Sequence, residues 1–293
     1  MASLTWLVVA LLVWLPPAAL AQDTLSVLMV VAHPDDEGMF SGSVYKITHF
    51  LGGKVDLAVI TDGSGGYRYA SLAEPIYGLH LTDERVARQY LPGIRKQELL
   101  AAGRIIGVRK YFFLDEFDHQ YTVNVDTVLQ HVWHSQEVVN RLREILAEGD
   151  YDFVFTHLPI ENFHGHHKAA TILALEAASQ LDRARRPVVL GSFVGEDGDT
   201  TASTFEELPG YPITKVMPGD PFVFDRMQPV NDGGPLNYRI IVNWEIAEHK
   251  SQGTMQLLMN VGERERFWVF RANGADALER AARLFQKLSS PIP

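Results

Sequence analysis

LSVLMVVAHPDDEG, Leu25 to Gly38, decides the fold. Its first eight residues form an almost unbroken apolar run rich in β-branched side chains, the mark of a strand buried on both faces. The run ends abruptly in a histidine, a proline and three carboxylates. Acidic residues favour the start of a helix, so Asp35, Asp36 and Glu37 fit a strand-to-helix turn. Helix entry does not account for His33. A divalent metal does: His33 and Asp36 lie three apart across a turn held by Pro34 and can reach one ion as nitrogen and oxygen ligands. Asp35 then points elsewhere and is free to take a proton.

Working outward, the chain alternates strand and helix. Lys54–Asp62 reads as a second strand after a helix over about 37–50, and Arg95–Gly107 as a helix stopped by glycine. Strands follow at Val108–Leu114, Tyr151–His157 and Pro187–Val194, with helices over about 126–148 and 168–181. This order predicts an α/β fold, Rossmann-like, with a mostly parallel sheet between helical layers. The polar loops His33–Glu37, Asp62–Gly66, Asp115–Asp118 and His164–His167 all fall at the carboxyl ends of strands, where such sheets bind ligands. Beyond Gly195 the pattern is irregular. Asn237–Trp244 reads as a strand, Ile246–Met259 as a helix, Glu265–Arg271 as a strand and Ala275–Leu288 as a closing helix.

Residues 1–21, MASLTWLVVALLVWLPPAALA, have an apolar core at Leu7–Leu15, a Pro16-Pro17 break and an Ala19-Leu20-Ala21 end, the pattern of a secretory signal peptide. The expectation is export to the periplasm or the extracellular space, with a mature chain, 22–293, holding a single domain. No later stretch is long and apolar enough to span a bilayer. The formal net charge of −10 disfavours nucleic acid as a partner. With no cysteine in 293 residues, disulfides, thiolate catalysis and Cys-ligated zinc are excluded. Any metal must be held by His, Asp or Glu.

A second cluster, His164-Gly165-His166-His167, sits between a strand and a helix. Three histidines within four residues suit a metal site better than a solvated loop, and one of them would complete a two-His, one-carboxylate set. AHPDDE at Ala32–Glu37 resembles the signature of the LmbE-like, PIG-L family of zinc-dependent N-acetylglucosaminyl deacetylases. RKQELLAAGRIIGV at Arg95–Val108 resembles that family's Arg-led helix, and HKSQ at His249–Gln252 its late HxSQ segment. The resemblance implies a Zn2+ cofactor, although such a ligand set also accepts other divalent ions. Its ligands would be His33, Asp36 and His167, with Asp35 as general base and His164 stabilising the tetrahedral intermediate or delivering a proton. It also implies a small-molecule or glycan substrate with an N-acyl amino sugar.

Two departures stand out. The family's H-x-D-H has His166 in place of the Asp expected to orient His164, a task that would pass to another acid such as Asp118. The common T-R-G-E-x-G becomes Thr61-Asp62-Gly63-Ser64-Gly65-Gly66, which bears on substrate identity more than on reaction type. Tyr67 and Arg68 are candidates for a sugar subsite, and Asp118, His166 and His249 for further substrate contacts. His49, His80, His119, His131, His134 and His157 read as ordinary. The rivals to a deacetylase are a metal-dependent amidase for another N-acyl substrate and a non-catalytic carbohydrate-binding protein on the same scaffold.

Overall fold

The computed structural model describes residues 24–231 and 234–291, so the segment read as a signal peptide lies outside the described residues. Among the described residues, seven strands form one sheet in the order β3-β2-β1-β4-β5-β7-β6. They are β1 (Ser26–Val31), β2 (Lys54–Thr61), β3 (Val108–Glu116), β4 (Phe153–His157), β5 (Val188–Gly195), β6 (Phe222–Asp225) and β7 (Arg264–Val269). The first five run parallel, while β7 is antiparallel to both β5 and β6. The α/β, Rossmann-like reading holds.

Alternation of side chains along β1 explains the layers. Leu28 and Val30 enter one core with Leu142, Ile145 and Leu173. Val27, Met29 and Val31 enter the other with Val44, Leu99 and Leu284. The helices covering the first face are α5 (Ser135–Gly149) and α6 (Gly165–Ser179). Those covering the second are α1 (Ser41–His49), α3 (Glu84–Ile106) and α9 (Ala277–Ser289). Both cores are needed because every residue of β1 is buried.

Several elements depart from the sequence pattern, each for a local reason. α3 starts at Glu84, eleven positions before Arg95, because the Asp83 carboxylate accepts from the Arg85 and Val86 amides. The helix continues through Pro92. The helix expected over 37–50 is a short 3₁₀ turn at Asp36–Met39 followed by α1. The one expected over 126–148 is broken into α4 (Val125–Thr127), a π turn at Val128–Val132 and α5. At the break, Trp133 is buried and donates through Nε1 to the Phe117 carbonyl.

The strand expected at Asn237–Trp244 is instead α7 (Tyr238–Glu248). Its β-branched Ile240, Ile241 and Val242 suggest a strand, yet the buried positions Tyr238, Ile241, Val242, Glu245 and Ile246 follow helical spacing. The helix expected over 246–259 shrinks to α8 (Gly253–Gln256), since α7 ends before His249. A four-residue helix, α2 (Glu74–Tyr77), lies in the long loop before α3. No helix of the described residues is long and apolar enough to cross a membrane.

The order of strands reverses between β1 and β4: one connection runs outward to β2 and the other to β5. Such a switch point opens a crevice beyond the strand ends. The loops that follow β1 and β4 meet there.

Candidate metal centre

His33 and Asp36 leave β1 in a tight turn held by the Asp36 carboxylate itself. Asp36 Oδ2 accepts from the amides of Ala32 (3.0 Å) and His33 (2.7 Å). His167 comes from the first turn of α6, whose start is capped by His164. These elements bring together His33 Nδ1, Asp36 and His167 Nε2. The His33–His167 separation is 3.2 Å, His167–Asp36 Oδ1 is 3.1 Å, and His33–Asp36 Oδ2 is 3.4 Å. Ligands about 2.05 Å from a tetrahedral zinc lie about 3.3 Å apart, so the two imidazole nitrogens stand at that spacing from each other and each from one Asp36 oxygen, and the donor chemistry suits the ion.

Two other groups come close enough to be weighed against it, His33–His164–His166 and Glu37–Glu245–His249. The first lacks a carboxylate to balance the ion's charge, and in the second all three side chains are buried away from the cavity. The residues thus fit a divalent ion best at His33, Asp36 and His167.

The electrostatics agree. Burial alone would depress His33, but Asp36 and Asp118 outweigh it and raise its pKa to about 9, so the field there stabilises positive charge. Burial also works against the Asp36 anion, yet His167 and His157 hold Asp36 well below the usual carboxylate range. Burial lowers His167 to about 4, which leaves a neutral imidazole at ordinary pH. Asp35 lines the same cavity. Burial, reinforced by Asp36, raises its pKa to about 6, within the range useful to a general base.

His164 is oriented by its own helix. The backbone amide of His166 donates to His164 Nδ1 at 3.1 Å, so the neutral ring carries its proton on Nε2. Burial, together with the charge of His33, lowers its pKa to about 2 and keeps it neutral. The ring that departs from the family motif does something else. His166 Nδ1 lies 3.0 Å from His33 Nε2, with Asp118 Oδ1 at 3.5 Å and 3.7 Å from those two atoms. The His166 Nδ1 and the Asp118 carboxylate therefore bear on His33, while His164 is held by the His166 backbone amide. A proton held on His33 Nε2 leaves Nδ1 free to ligate.

None of the residues proposed for substrate contact, Tyr67, Arg68, Asp118, His166 and His249, lines the cavity. Arg88 stacks over Tyr67 and donates to the Asp118 carbonyl, and the Arg68 side chain is exposed. His249 is fully buried, its Nε2 2.7 Å from Glu37 and 3.1 Å from Glu245. Burial is overcome by Glu37, so the His249 pKa is raised well above its ordinary value. The HKSQ segment acts from behind: Gln252 donates to the Pro34 carbonyl inside the metal loop. Ser251 meets Arg95 and Glu98, while Arg95 donates to the carbonyls of Gly63 and Gly65, both at 2.6 Å. Gly63 is fixed by this packing, having a φ of +71° and no room for a Cβ against Pro34.

His157 was read as ordinary, but its Nε2 is 3.2 Å from Asp36 Oδ2 and its ring stacks on His167 at 4.2 Å. Its one signal in the sequence is its place at the carboxyl end of β4. Missed as well is the far wall of the cavity, which comes from Ser192–Glu196 and from residues 246–262.

A family model described as GlcNAc-PI de-N-acetylase (PIG-L) matches residues 28–178. The chain belongs to this family. A probable N-acetyl-alpha-D-glucosaminyl L-malate deacetylase 2 from Bacillus cereus is 25% identical over 163 residues, 56% of this chain. The match spans 65% of that relative's length. Among solved structures, an N,N'-diacetylchitobiose deacetylase from Pyrococcus horikoshii superposes with a TM-score of 0.54 at 18% identity, covering 85% of each chain. The 4-carboxy-2-hydroxymuconate hydratase GalB from Pseudomonas putida gives 0.50 at 12% identity, over 84% of this chain and 96% of its own. A deacetylase and a hydratase on one architecture show that the fold does not choose the reaction. That choice lies with the side chains of this PIG-L member.

Proposed function

We propose that the chain is an exported, zinc-dependent deacetylase that hydrolyses the N-acetyl group of an N-acetylglucosamine-type amino sugar or conjugate. The observation carrying this reading is the triangle of His33, Asp36 and His167 with Asp35 on the wall of the same cavity. A divalent ion held by those three residues would polarise an acyl carbonyl and make water nucleophilic near neutral pH. Asp35 takes the proton from the attacking water and passes it to the departing amine. His164, neutral with its proton on Nε2, donates a hydrogen bond to the oxyanion as the carbonyl carbon becomes tetrahedral. Asp118 and His166 hold His33 in its ligating tautomer. Acetate and a free amine leave.

Membership of the PIG-L family and the deacetylase relative support this chemistry, and the first 21 residues of the sequence support export. The purified, zinc-loaded chain should release acetate and a primary amine from N-acetylglucosamine conjugates. No amine release from any N-acylated amino sugar would refute the reading. Amino-terminal sequencing of the exported protein should begin near Gln22, and an intact Met1 on the exported form would overturn the signal-peptide assignment.

A further inference from the structure

Beside the metal centre lies a second cavity that the proposed reaction does not use. It has a volume of about 620 Å³ and is built from the segments 199–206 and 215–221 against β7. Arg266 and Trp268 stand two apart on β7 and so share a face, and Arg271 follows just beyond the strand's end. Asp199 lines this cavity and the catalytic one alike, so the two are neighbours. Gly195 lets the shared wall close up: a Cβ there would collide with Asp199 and stand 3.0 Å from Arg266 Nη1.

Three cations (Lys215, Arg266, Arg271) and three anions (Asp199, Glu206, Asp220) reach this one space. Among the described residues, Lys215 alone of the six forms an ion pair, with Glu207 at 3.3 Å. Arg266 donates through Nη2 to the Glu196 carbonyl at 2.7 Å, while its buried Nη1 has no partner. Arg271 is anchored through Nε to the Val216 carbonyl at 3.2 Å, and Asp199 accepts from the Thr201 amide through Oδ1 at 2.8 Å. Opposite charges that line one concavity without pairing suit a ligand that needs donors and acceptors together. A saccharide hydroxyl is such a group, since it donates one hydrogen bond and accepts others. Trp268 and Phe205 add the apolar surface against which the C–H face of a sugar ring packs. With three charges of each sign, the wall favours neither a phosphate nor a polycation.

We infer that this cavity is a second saccharide-binding site, separate from the place of the reacting amide. The sugar hydroxyls accept from Arg266 Nη1 and the Arg271 guanidinium and donate to Asp199 and Asp220, with the apolar face of the ring against Trp268 and Phe205. A glycan held there stays beside the wall that Asp199 shares with the catalytic cavity, which raises its effective concentration at the metal centre.

Calorimetry on the zinc-loaded full chain tests the site with β-linked trimers of glucose and of glucosamine, neither of which carries an amide to hydrolyse. At least one trimer should bind saturably. Arg271→Ala and Asp220→Ala, both at exposed positions that do not threaten folding, should each weaken that binding by about tenfold or more, the effect of losing a hydrogen bond to a charged group. No saturable binding of either trimer would overturn the inference, as would an affinity that either variant leaves unchanged. Inorganic phosphate is the control for a simple anion site: phosphate binding that Arg271→Ala weakens and Asp220→Ala strengthens, with no trimer bound, would also overturn it. Because the trimers cannot react, these outcomes are read apart from the deacetylase reading. Trimer binding without acetate release from any N-acetylated amino sugar would sink that reading alone.

Discussion

Asp118→Asn tests the claim that this carboxylate serves His33 and not the substrate. The change is nearly isosteric, and the Asn carbonyl can still accept from the Gly65 amide, as Asp118 Oδ2 does at 2.9 Å. With the carbonyl there, the Asn NH2 stands where Oδ1 faces His33, so the charge and the acceptor on that side are both lost. Asp118 Oδ1 stands 3.7 Å from His33 Nε2, where two unit charges interact by about 4.5 kcal/mol at an effective dielectric constant of 20. The ring of a ligating histidine carries a fraction of the ion's charge, which brings the expected loss to about 1–2 kcal/mol. That corresponds to zinc binding weakened by about tenfold, at the lower end of the range for lost outer-shell partners. Competition titration against a chromophoric chelator measures it, with the melting temperature of the metal-free protein as a control for folding. Zinc affinity within twofold of the parent, or an effect confined to KM, would refute the role.

Asp35→Asn should leave zinc stoichiometry unchanged and lower kcat by about 10²–10⁴-fold, the range for losing a general base; undiminished kcat would remove Asp35 from the mechanism. His167→Ala should weaken zinc binding by more than the about 100-fold that outer partners cost, as read by metal analysis after dialysis. The base must be ionised to work, so kcat/KM should fall as pH drops through the Asp35 pKa. That pKa is raised to about 6 by burial and by Asp36, and the field of a bound cation lowers it, so a limb centred above pH 7 would contradict the assignment. Glu265→Ala removes the carboxylate that accepts from the Gly42 and Ser43 amides at the start of α1 and strands Arg226 in the interior. Breaking such a buried pair should destabilise the protein by about 3–5 kcal/mol in urea unfolding, and a loss below about 1 kcal/mol would show that the pair is dispensable.

The fold was legible where the pattern is local. Leu25–Ala32 announces a strand covered on both faces, and the remaining parallel strands follow the same alternation with helices. It became illegible where tertiary contacts override propensity. Ile240, Ile241 and Val242 belong to a helix because their neighbours at helical spacing face the core. Trp133 breaks a regular amphipathic pattern because its ring is buried and its Nε1 satisfies a loop carbonyl.

The same division runs through the candidate site. The metal loop is compressed into His33–Glu37 and the α6 entry into His164–His167, so both stand out as local clusters in one sequence. Nothing local marks His157, a single histidine at a strand end, or Ser192, Phe193, Met255 and Leu258, which reach the cavity from the region past β4. His166 stands beside His164 in the chain, yet the fold turns its Nδ1 to His33, a partner that no local spacing marks. The groups proposed to react thus come from two short segments, whereas the far wall of the cavity is assembled from β5, α7 and α8. Those later elements can change without disturbing the ligand triangle. The segment carrying AHPDDE is thus separate from the far wall, and in this chain that wall is largely apolar.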